Sequence, residues 1–286
     1  MTVNSAKIRK NASNVLVYAT LSILGVLWVL PIAYLIYTAF RVTPSTGIIN
    51  TLFPKDLRLG FGNFGRLFQD TMFSRWLVNT LFVSVCSCLL STLFILMVSY
   101  ALSRLRFRMR KPIMNVLLVL GMFPGFMSMI AVYFILKAMG LTNSLLALIL
   151  VYSGSAALSY YICKGFFDTV PRAMEEAAIL DGANQAVVFW KIILPMAKPI
   201  IVYTVLTSFI SPWCDFIFVN TIISDRDKYT VSLGLYKMIN AEKNSFNDNF
   251  TVFCAGAFVV GGIIVSLFMS MQRYYVEGVT SGAVKG

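Results

Sequence analysis

Six long apolar stretches constrain this chain more than any other feature of its sequence. Each is near or above the roughly 20 residues that a helix needs to cross a bilayer. None alternates apolar and polar residues as a barrel strand does, and a backbone in lipid must satisfy its own hydrogen bonds, so we predict helices. The predicted spans cover approximately residues 14–40, 76–103, 112–136, 142–163, 199–223 and 250–272.

The composition agrees with an integral membrane protein. The chain is 58% hydrophobic and 13% charged, whereas roughly a quarter of the residues in a soluble domain are charged. A net charge of +12 would suit nucleic acid, but a basic excess in a membrane protein more often reflects topology, so we predict no nucleic-acid partner. The fold class that follows is all-α, a polytopic membrane protein with six transmembrane helices in contact with lipid.

Side chains that could carry out chemistry are scarce. The sequence has no histidine, so the commonest general base and the commonest metal ligand are both missing. Its five cysteines lie in apolar stretches without zinc-type spacing, as is typical of small buried hydrophobic residues. The phosphate-loop pattern G-x-x-x-x-G-K-[ST] is also absent. We therefore predict a chain that is not an enzyme, with no catalytic residue, metal site or cofactor of its own.

Basic residues predict the orientation and the domain boundaries. They are densest near span ends in the N-terminal segment 1–13 and in the loops after the second and fourth spans. Cytoplasmic loops are enriched in lysine and arginine, so we predict that both termini and the loop at about 164–198 are cytoplasmic. A transmembrane domain would then cover 14–275, with a cytoplasmic tail at 276–286. The external loop at about 224–249 is either a partner contact or a plain solvated connection.

The loop at 164–198 contains a charged segment that favours a helix. Asp168 or Thr169 could cap its start, with Pro171 in the first turn. Met174–Leu180 are mostly good helix formers, and Gly182 is a natural stop because it tolerates a left-handed backbone. A helix of this kind could merely cover the end of the bundle, or it could dock onto a partner. Docking would use the negative charge and small side chains of Glu175, Glu176, Ala177 and Ala178.

This segment resembles the EAA loop of the inner-membrane permease subunits of binding-protein-dependent ABC importers. Glu176, Ala177, Ala178, Asp181 and Gly182 match its core. The resemblance implies a cytoplasmic coupling helix between spans four and five. Such a helix docks into a groove on a separate ATPase subunit and transmits closure of the ATPase dimer to the spans. Other stretches that resemble the family are Trp76–Leu81, Tyr100–Phe107, Phe123-Pro124, Ile193–Pro195 and Trp213–Phe216, the last with departures at Cys214 and Asp215.

The C-terminal tail is similar to that of maltose-type, MalG-like permease subunits. The resemblance implies that Ser281, Gly282, Lys285 and Gly286 contact the ATPase dimer, whereas a disordered terminus is the plain alternative. It further implies a permease subunit of a carbohydrate importer, for malto-type or related oligosaccharides, in a bacterial or archaeal cytoplasmic membrane. The implied partners are a second, related permease, two ABC ATPase subunits that bind ATP and Mg²⁺, and an extracytoplasmic sugar-binding protein.

Asp215 is the only acidic residue inside a predicted span. Ionisable residues within a membrane are by default functional candidates, so we predict that Asp215, Trp213 and Ser211 line the translocation path. Alternatively, Asp215 pairs with a basic loop residue at the outer interface. Two other functions remain open for the whole chain. They are an ABC permease for a different small solute and an ion-coupled secondary transporter, although the latter usually needs more than one intramembrane acid.

Overall fold

The computed structural model describes residues 2–42, 58–122, 125–154, 157–240 and 245–283. These residues are mostly helical, as predicted, and include one antiparallel pair of two-residue strands, β1 (Arg41–Val42) and β2 (Arg58–Leu59). The helices are α1 (Thr2–Phe40), α2 (Gly62–Gln69), α3 (Phe73–Arg104), α4 (Arg110–Met122), α5 (Gly125–Ala138), α6 (Leu145–Gly154), α7 (Ala157–Thr169), α8 (Ala173–Leu180), α9 (Gln185–Val187), α10 (Leu194–Met196), α11 (Lys198–Cys214), α12 (Ile217–Ile222), α13 (Val231–Asn240) and α14 (Ser245–Ala283).

Three helical stretches are long and apolar enough to cross a membrane by themselves: Asn14–Phe40, Phe73–Arg104 and Asn249–Arg273. Three further stretches are helix pairs with a bend: 107° between α4 and α5, 41° between α6 and α7, and 84° between Gln185–Met196 and α11. By length and composition the described residues therefore contain three to six candidate spans. The predicted fifth span, 199–223, is not continuous, because α11 ends at Cys214.

The chain divides into two units, and the first combines residues up to Thr71 with Met238–Val259. Its hydrogen bonds centre on the side-chain amide of Asn63, which is buried and donates to the carbonyls of Ala39 at 3.0 Å and Arg41 at 2.9 Å. Around this point the Phe40 ring packs against three other phenylalanines at centroid distances of 5.1 to 5.4 Å. These contacts fix the chain as it leaves α1.

The second unit comprises Met72–Lys237 and Val260 onward, and α3 is its central helix. α3 packs against α6, α7 and α11. Small polar side chains lie among the apolar ones on its buried face and allow close packing, as is common where membrane helices meet. These residues are Thr80, Ser84, Ser87, Ser91, Ser99 and Ser103.

Candidate functional site

The charged segment of the predicted cytoplasmic loop forms α8, but this helix starts later than predicted. α7 extends through Thr169, and Arg172 precedes α8 without a side-chain hydrogen bond to cap it. Asp168 instead accepts a hydrogen bond from the Ser103 hydroxyl at 2.6 Å, and Thr169 donates within its own helix. The predicted capping roles of Asp168 and Thr169 were wrong because both side chains bond elsewhere.

The end of α8 is the one predicted from Gly182. Gly182 has a φ of 88°, a left-handed conformation in which an L side chain is strained. Its N–H donates to the carbonyl of Ile179 at 3.0 Å, and the N–H of Ala183 donates to that of Ala178 at 2.9 Å. These two bonds form a Schellman motif. The turn is therefore set by local sequence, as the prediction assumed.

One face of α8 is exposed. Glu176, Ala177, Asp181 and Gly182 are exposed, and Ala178 is half-buried. A shallow depression of about 510 Å³ lies along this face. Small side chains on its floor leave room for another surface to approach the helix backbone. The lining residues are Ala173, Met174, Ala177, Ala178, Asp181 and Ile192.

Glu175 points the other way, and its predicted role as a docking charge needs correction. Its side chain is 10% exposed, and its Oε1 lies 2.8 Å from Nε of Arg104, whose side chain is 4% exposed. These two atoms form an ion pair without hydrogen-bond alignment. Burial raises the pKa of Glu175, against the lowering effect of Arg104 and Arg172. Glu175 therefore ties α8 to α3 and does not face a partner.

Arg104 also holds the end of α7. Its Nη2 donates to the carbonyls of Phe167 at 2.6 Å and Val170 at 2.7 Å. These oxygens lie where α7 ends, and carbonyls at a helix end have no partner within the helix. One guanidinium at the end of α3 thus joins three points of the loop: the end of α7, the residue after it and Glu175 on α8.

The second half of the loop is anchored to α3 as well. The Asn184 side chain caps α9 by accepting a hydrogen bond from the N–H of Val187 at 2.9 Å. A π-helical turn, Val188–Ile193, follows and buries Phe189, whose ring centroid lies 4.9 Å from that of Tyr100 on α3. The Tyr100 hydroxyl donates to Oε1 of Gln185 at 2.9 Å. Both halves of the loop therefore rest on the last turn and a half of α3.

Asp215 occupies the break between α11 and α12. Its Oδ2 accepts a hydrogen bond from the Tyr152 hydroxyl at 3.0 Å, and its Oδ1 accepts one from the N–H of Phe218 at 3.0 Å. Among the described residues, no ion pair includes Asp215. The alternative of pairing with a basic loop residue therefore has no support in the described part of the chain. The carboxylate instead starts α12 by capping it.

A cavity of about 440 Å³ opens beside this carboxylate. Of the three residues predicted to line a path, Asp215 and Ser211 line this cavity, but Trp213 does not. Trp213 is 4% exposed and packs on Phe209 at 5.8 Å between ring centroids. The lining residues are Gly125, Ser128, Met129, Val132, Val151, Tyr152, Ser211, Asp215, Ile217 and Phe218.

Residues 91–276 match the family described as binding-protein-dependent transport system inner membrane component. The chain belongs to this family. It is 31% identical over 286 residues to the maltodextrin transport system permease protein MalD of Streptococcus pneumoniae, with 99% of both chains covered. It is 30% identical over 285 residues to the galactooligosaccharides transport system permease protein GanQ of Bacillus subtilis, with 98% of both covered.

A solved structure shares the fold. The chain aligns with a TM-score of 0.78 and 22% identity to a chain of a bacterial ABC transporter involved in the import of the acidic polysaccharide alginate. The alignment covers 93% of this chain and 98% of the other. The two permeases and the solved chain thus each align with this chain over nearly its whole length.

Sequence reasoning did not identify two residues that hold the loop at 164–198. Arg104 and Tyr100 were identified only as members of the stretch Tyr100–Phe107 that resembles the family, and Arg104 also as one of the basic residues after the second span. The available signal was the run Tyr100–Arg104 at the end of an apolar span, where a buried charge needs a carboxylate partner. The partner is remote in sequence, so the run alone could not identify Glu175.

The predicted tail and third-span residues are placed only in part. Ser281 and Gly282 belong to the helical backbone of α14. Lys285 and Gly286 lie outside the described residues, as do Phe123 and Pro124. Within the described ranges, no group of three or more potential metal ligands comes together.

Proposed function

We propose that this chain is the transmembrane permease subunit of an ATP-driven carbohydrate importer. The observation that carries the proposal is the two-sided character of α8. Its inner side is tied to α3 by Glu175 and Arg104, while Glu176, Ala177 and Gly182 remain exposed for docking. Relatives named as permeases for maltodextrin and galactooligosaccharides, similar along their whole length, favour an oligosaccharide as the cargo.

In this proposal the loop is a coupling device for a separate ATPase. The exposed face of α8 fits the groove of an ABC ATPase subunit, and Glu176 and Asp181 offer negative charge to basic residues there. A push on α8 is passed to α3 because the connection is a buried ion pair and not a flexible linker. The ATPase supplies ATP hydrolysis with Mg²⁺, and this chain supplies the docking surface.

The proposed assembly contains more than one membrane chain. Each bent helix pair counts as one span in this proposal, which gives six, and the basic loops favour a cytoplasmic position for both termini and α8. This chain forms half of a path, so a second, related permease supplies the other half. Two ABC ATPase subunits and an extracytoplasmic sugar-binding protein complete an importer in a bacterial or archaeal cytoplasmic membrane.

Transport assays test the proposal directly. The chain would be reconstituted in liposomes with its partner permease, ATPase and binding protein, and uptake of labelled maltodextrins and galactooligosaccharides measured. We expect uptake only with ATP on the ATPase side. Uptake that runs on an imposed proton or sodium gradient without ATP would overturn the proposal in favour of a secondary transporter. ATP-driven uptake of an unrelated solute, with no response to sugars, would retain the ABC permease and reject the carbohydrate cargo.

We expect Asp215→Asn to weaken transport without harming assembly. The Oδ1 of the asparagine can still accept the hydrogen bond from the N–H of Phe218, and its Nδ2 can donate to the Tyr152 hydroxyl. The substitution removes the negative charge that can bind sugar hydroxyl groups strongly. A lost charge-assisted hydrogen bond predicts a roughly tenfold rise in the KM for uptake. Trp213→Phe is the matched control, because Trp213 lies outside the cavity. Equal effects of the two substitutions would contradict a role of Asp215 in the path.

Deleting Ser281–Gly286 is expected to impair coupled ATPase activity more than membrane insertion. The implied tail contact lies between the ATPase subunits, so its loss would act on their closure and not on the spans. The measurement compares sugar-stimulated ATP hydrolysis with the amount of complex recovered from the membrane. A same-length alanine replacement separates side-chain contacts from chain length. Unchanged transport after the deletion would show that the tail is only a terminus.

A further inference from the structure

The end of α3 opposite the coupling loop is bound to a second loop, residues 224–231. Trp76 Nε1 donates to one of its carbonyls at 3.1 Å, and Asn79 Nδ2 donates to two others at 2.7 and 3.0 Å. The buried Thr80 hydroxyl accepts a hydrogen bond from the N–H of Val231 at 2.8 Å. Side chains on the first two turns of α3 therefore hold the backbone of this segment.

Trp76 adds a packing contact that leaves no free space. Its side chain is 3% exposed, and a Cβ placed on Gly234 would lie 2.2 Å from the indole ring. Only glycine lets α13 approach the ring this closely. The joint between α3 and the chain after segment 224–231 is therefore tight as well as hydrogen-bonded.

Segment 224–231 is also ordered by Asn143, which lies between α5 and α6, and by a hydrogen bond of its own. The Asn143 side chain accepts hydrogen bonds from the N–H groups of Ser224 and Asp225, both at 3.1 Å, and donates to Oδ2 of Asp225 at 2.7 Å. Lys228 donates to the same carboxylate oxygen at 3.0 Å. The pKa of Asp225 is lowered, mainly by the hydrogen bond from Asn143 and next by the one from Lys228. The segment is thus a defined surface feature that a force could displace as a unit.

Between these two joints α3 is unbroken. It has 32 residues, with neither proline nor glycine, and at 1.5 Å per residue it measures about 48 Å. The other candidate spans that lie wholly within its unit are bent pairs, with angles of 41° to 107°. A helix that is uninterrupted and held at both ends moves its two ends together.

We propose that α3 is the element that links segment 224–231 to the coupling loop, with Trp76, Asn79 and Thr80 as positioning residues at one end and Arg104 and Tyr100 at the other. The inference rests on the proposed function, in which the coupling loop docks onto the ATPase. A displacement of segment 224–231 when the sugar-binding protein engages the outer face then reaches α8 along α3. The ATPase responds although it lies on the opposite side of the membrane.

The test uses the full importer in liposomes and measures how strongly the sugar-loaded binding protein stimulates ATP hydrolysis. Thr80→Val removes the hydrogen bond to Val231, far from the ATPase. We expect stimulation to fall roughly fivefold, the equivalent of one lost hydrogen bond. Basal ATPase activity and complex recovery should stay unchanged. Sugar transported per ATP hydrolysed should fall as well, a readout that a loss of stability alone would not change.

Thr204→Val is the matched control, because the buried Thr204 hydroxyl donates to carbonyls of its own helix. Asn79→Ala is a second variant of the joint and should reproduce the effect of Thr80→Val. The inference is overturned if both joint variants are stimulated like the wild type, or if Thr204→Val loses as much stimulation as they do. A wild-type complex without ATP-dependent uptake would instead refute the proposed function.

Discussion

Arg104→Ala is expected to release the coupling loop from α3 and to abolish coupled transport. The substitution leaves the Glu175 carboxylate buried without its cation and leaves the carbonyls of Phe167 and Val170 without their donor. Removing one partner of a buried ion pair costs about 3–5 kcal/mol, more than most single contacts. The measurements are the thermal stability of the purified complex, the ATPase bound to it and sugar uptake.

Two further variants separate charge from geometry at Arg104. Arg104→Lys keeps the positive charge but loses the forked donors, so we expect a partial loss. Arg106→Ala is the control, because Arg106 is an exposed basic residue two positions away. If Arg104→Ala behaves like Arg106→Ala in all three measurements, the ion pair does not anchor the loop.

Gly182→Trp is expected to prevent the ATPase from co-purifying with the chain. Gly182 follows Asp181, which lines the depression, and a Cβ added at Gly182 meets nothing within 4 Å, so an indole ring would add bulk in open space at this end of the proposed docking face. The positive φ makes any side chain cost roughly 1–2 kcal/mol. Gly182→Ala carries the same strain without the bulk and should keep at least part of the ATPase.

The comparison of these two variants decides what the turn does. Loss of the ATPase with tryptophan but not with alanine identifies a docking surface. Equal recovery of ATPase with both variants would place the partner elsewhere. Glu176→Lys probes the same face by charge, and we expect it to weaken the complex more at low ionic strength than at high, because salt screens exposed charges.

Local sequence determines where α8 ends, but not the direction in which its charged side chains point. The Gly182 turn was predictable because a Schellman motif uses only hydrogen bonds between near neighbours. The inward orientation of Glu175 was not, because it depends on Arg104, at the end of another helix. The proposed caps failed for a related reason. Asp168 would suit a helix start, but its bond to Ser103 on α3 takes precedence.

Hydropathy located the apolar stretches but not their bends. The predicted fifth span ran through 199–223, yet Pro212 stands near the end of α11 and Asp215 begins a new helix at α12. A hydropathy scale assigns only a small penalty to one acidic residue among many apolar ones. It does not register that the Asp215 carboxylate can cap a new helix. The neutral partner of Asp215, Tyr152, comes from another helix and could not be read from this stretch alone.

The buried contact between Glu175 and Arg104 makes the coupling loop non-transferable. A peptide of residues 164–198 contains the proposed docking face but lacks Arg104 and Tyr100, so it loses the ion pair and the hydrogen bond that anchor its two halves to α3. Such a peptide would be a poor competitor for the ATPase. By the same reasoning, a chimera that exchanges coupling loops between permeases needs the last turns of α3 to be exchanged together with the loop.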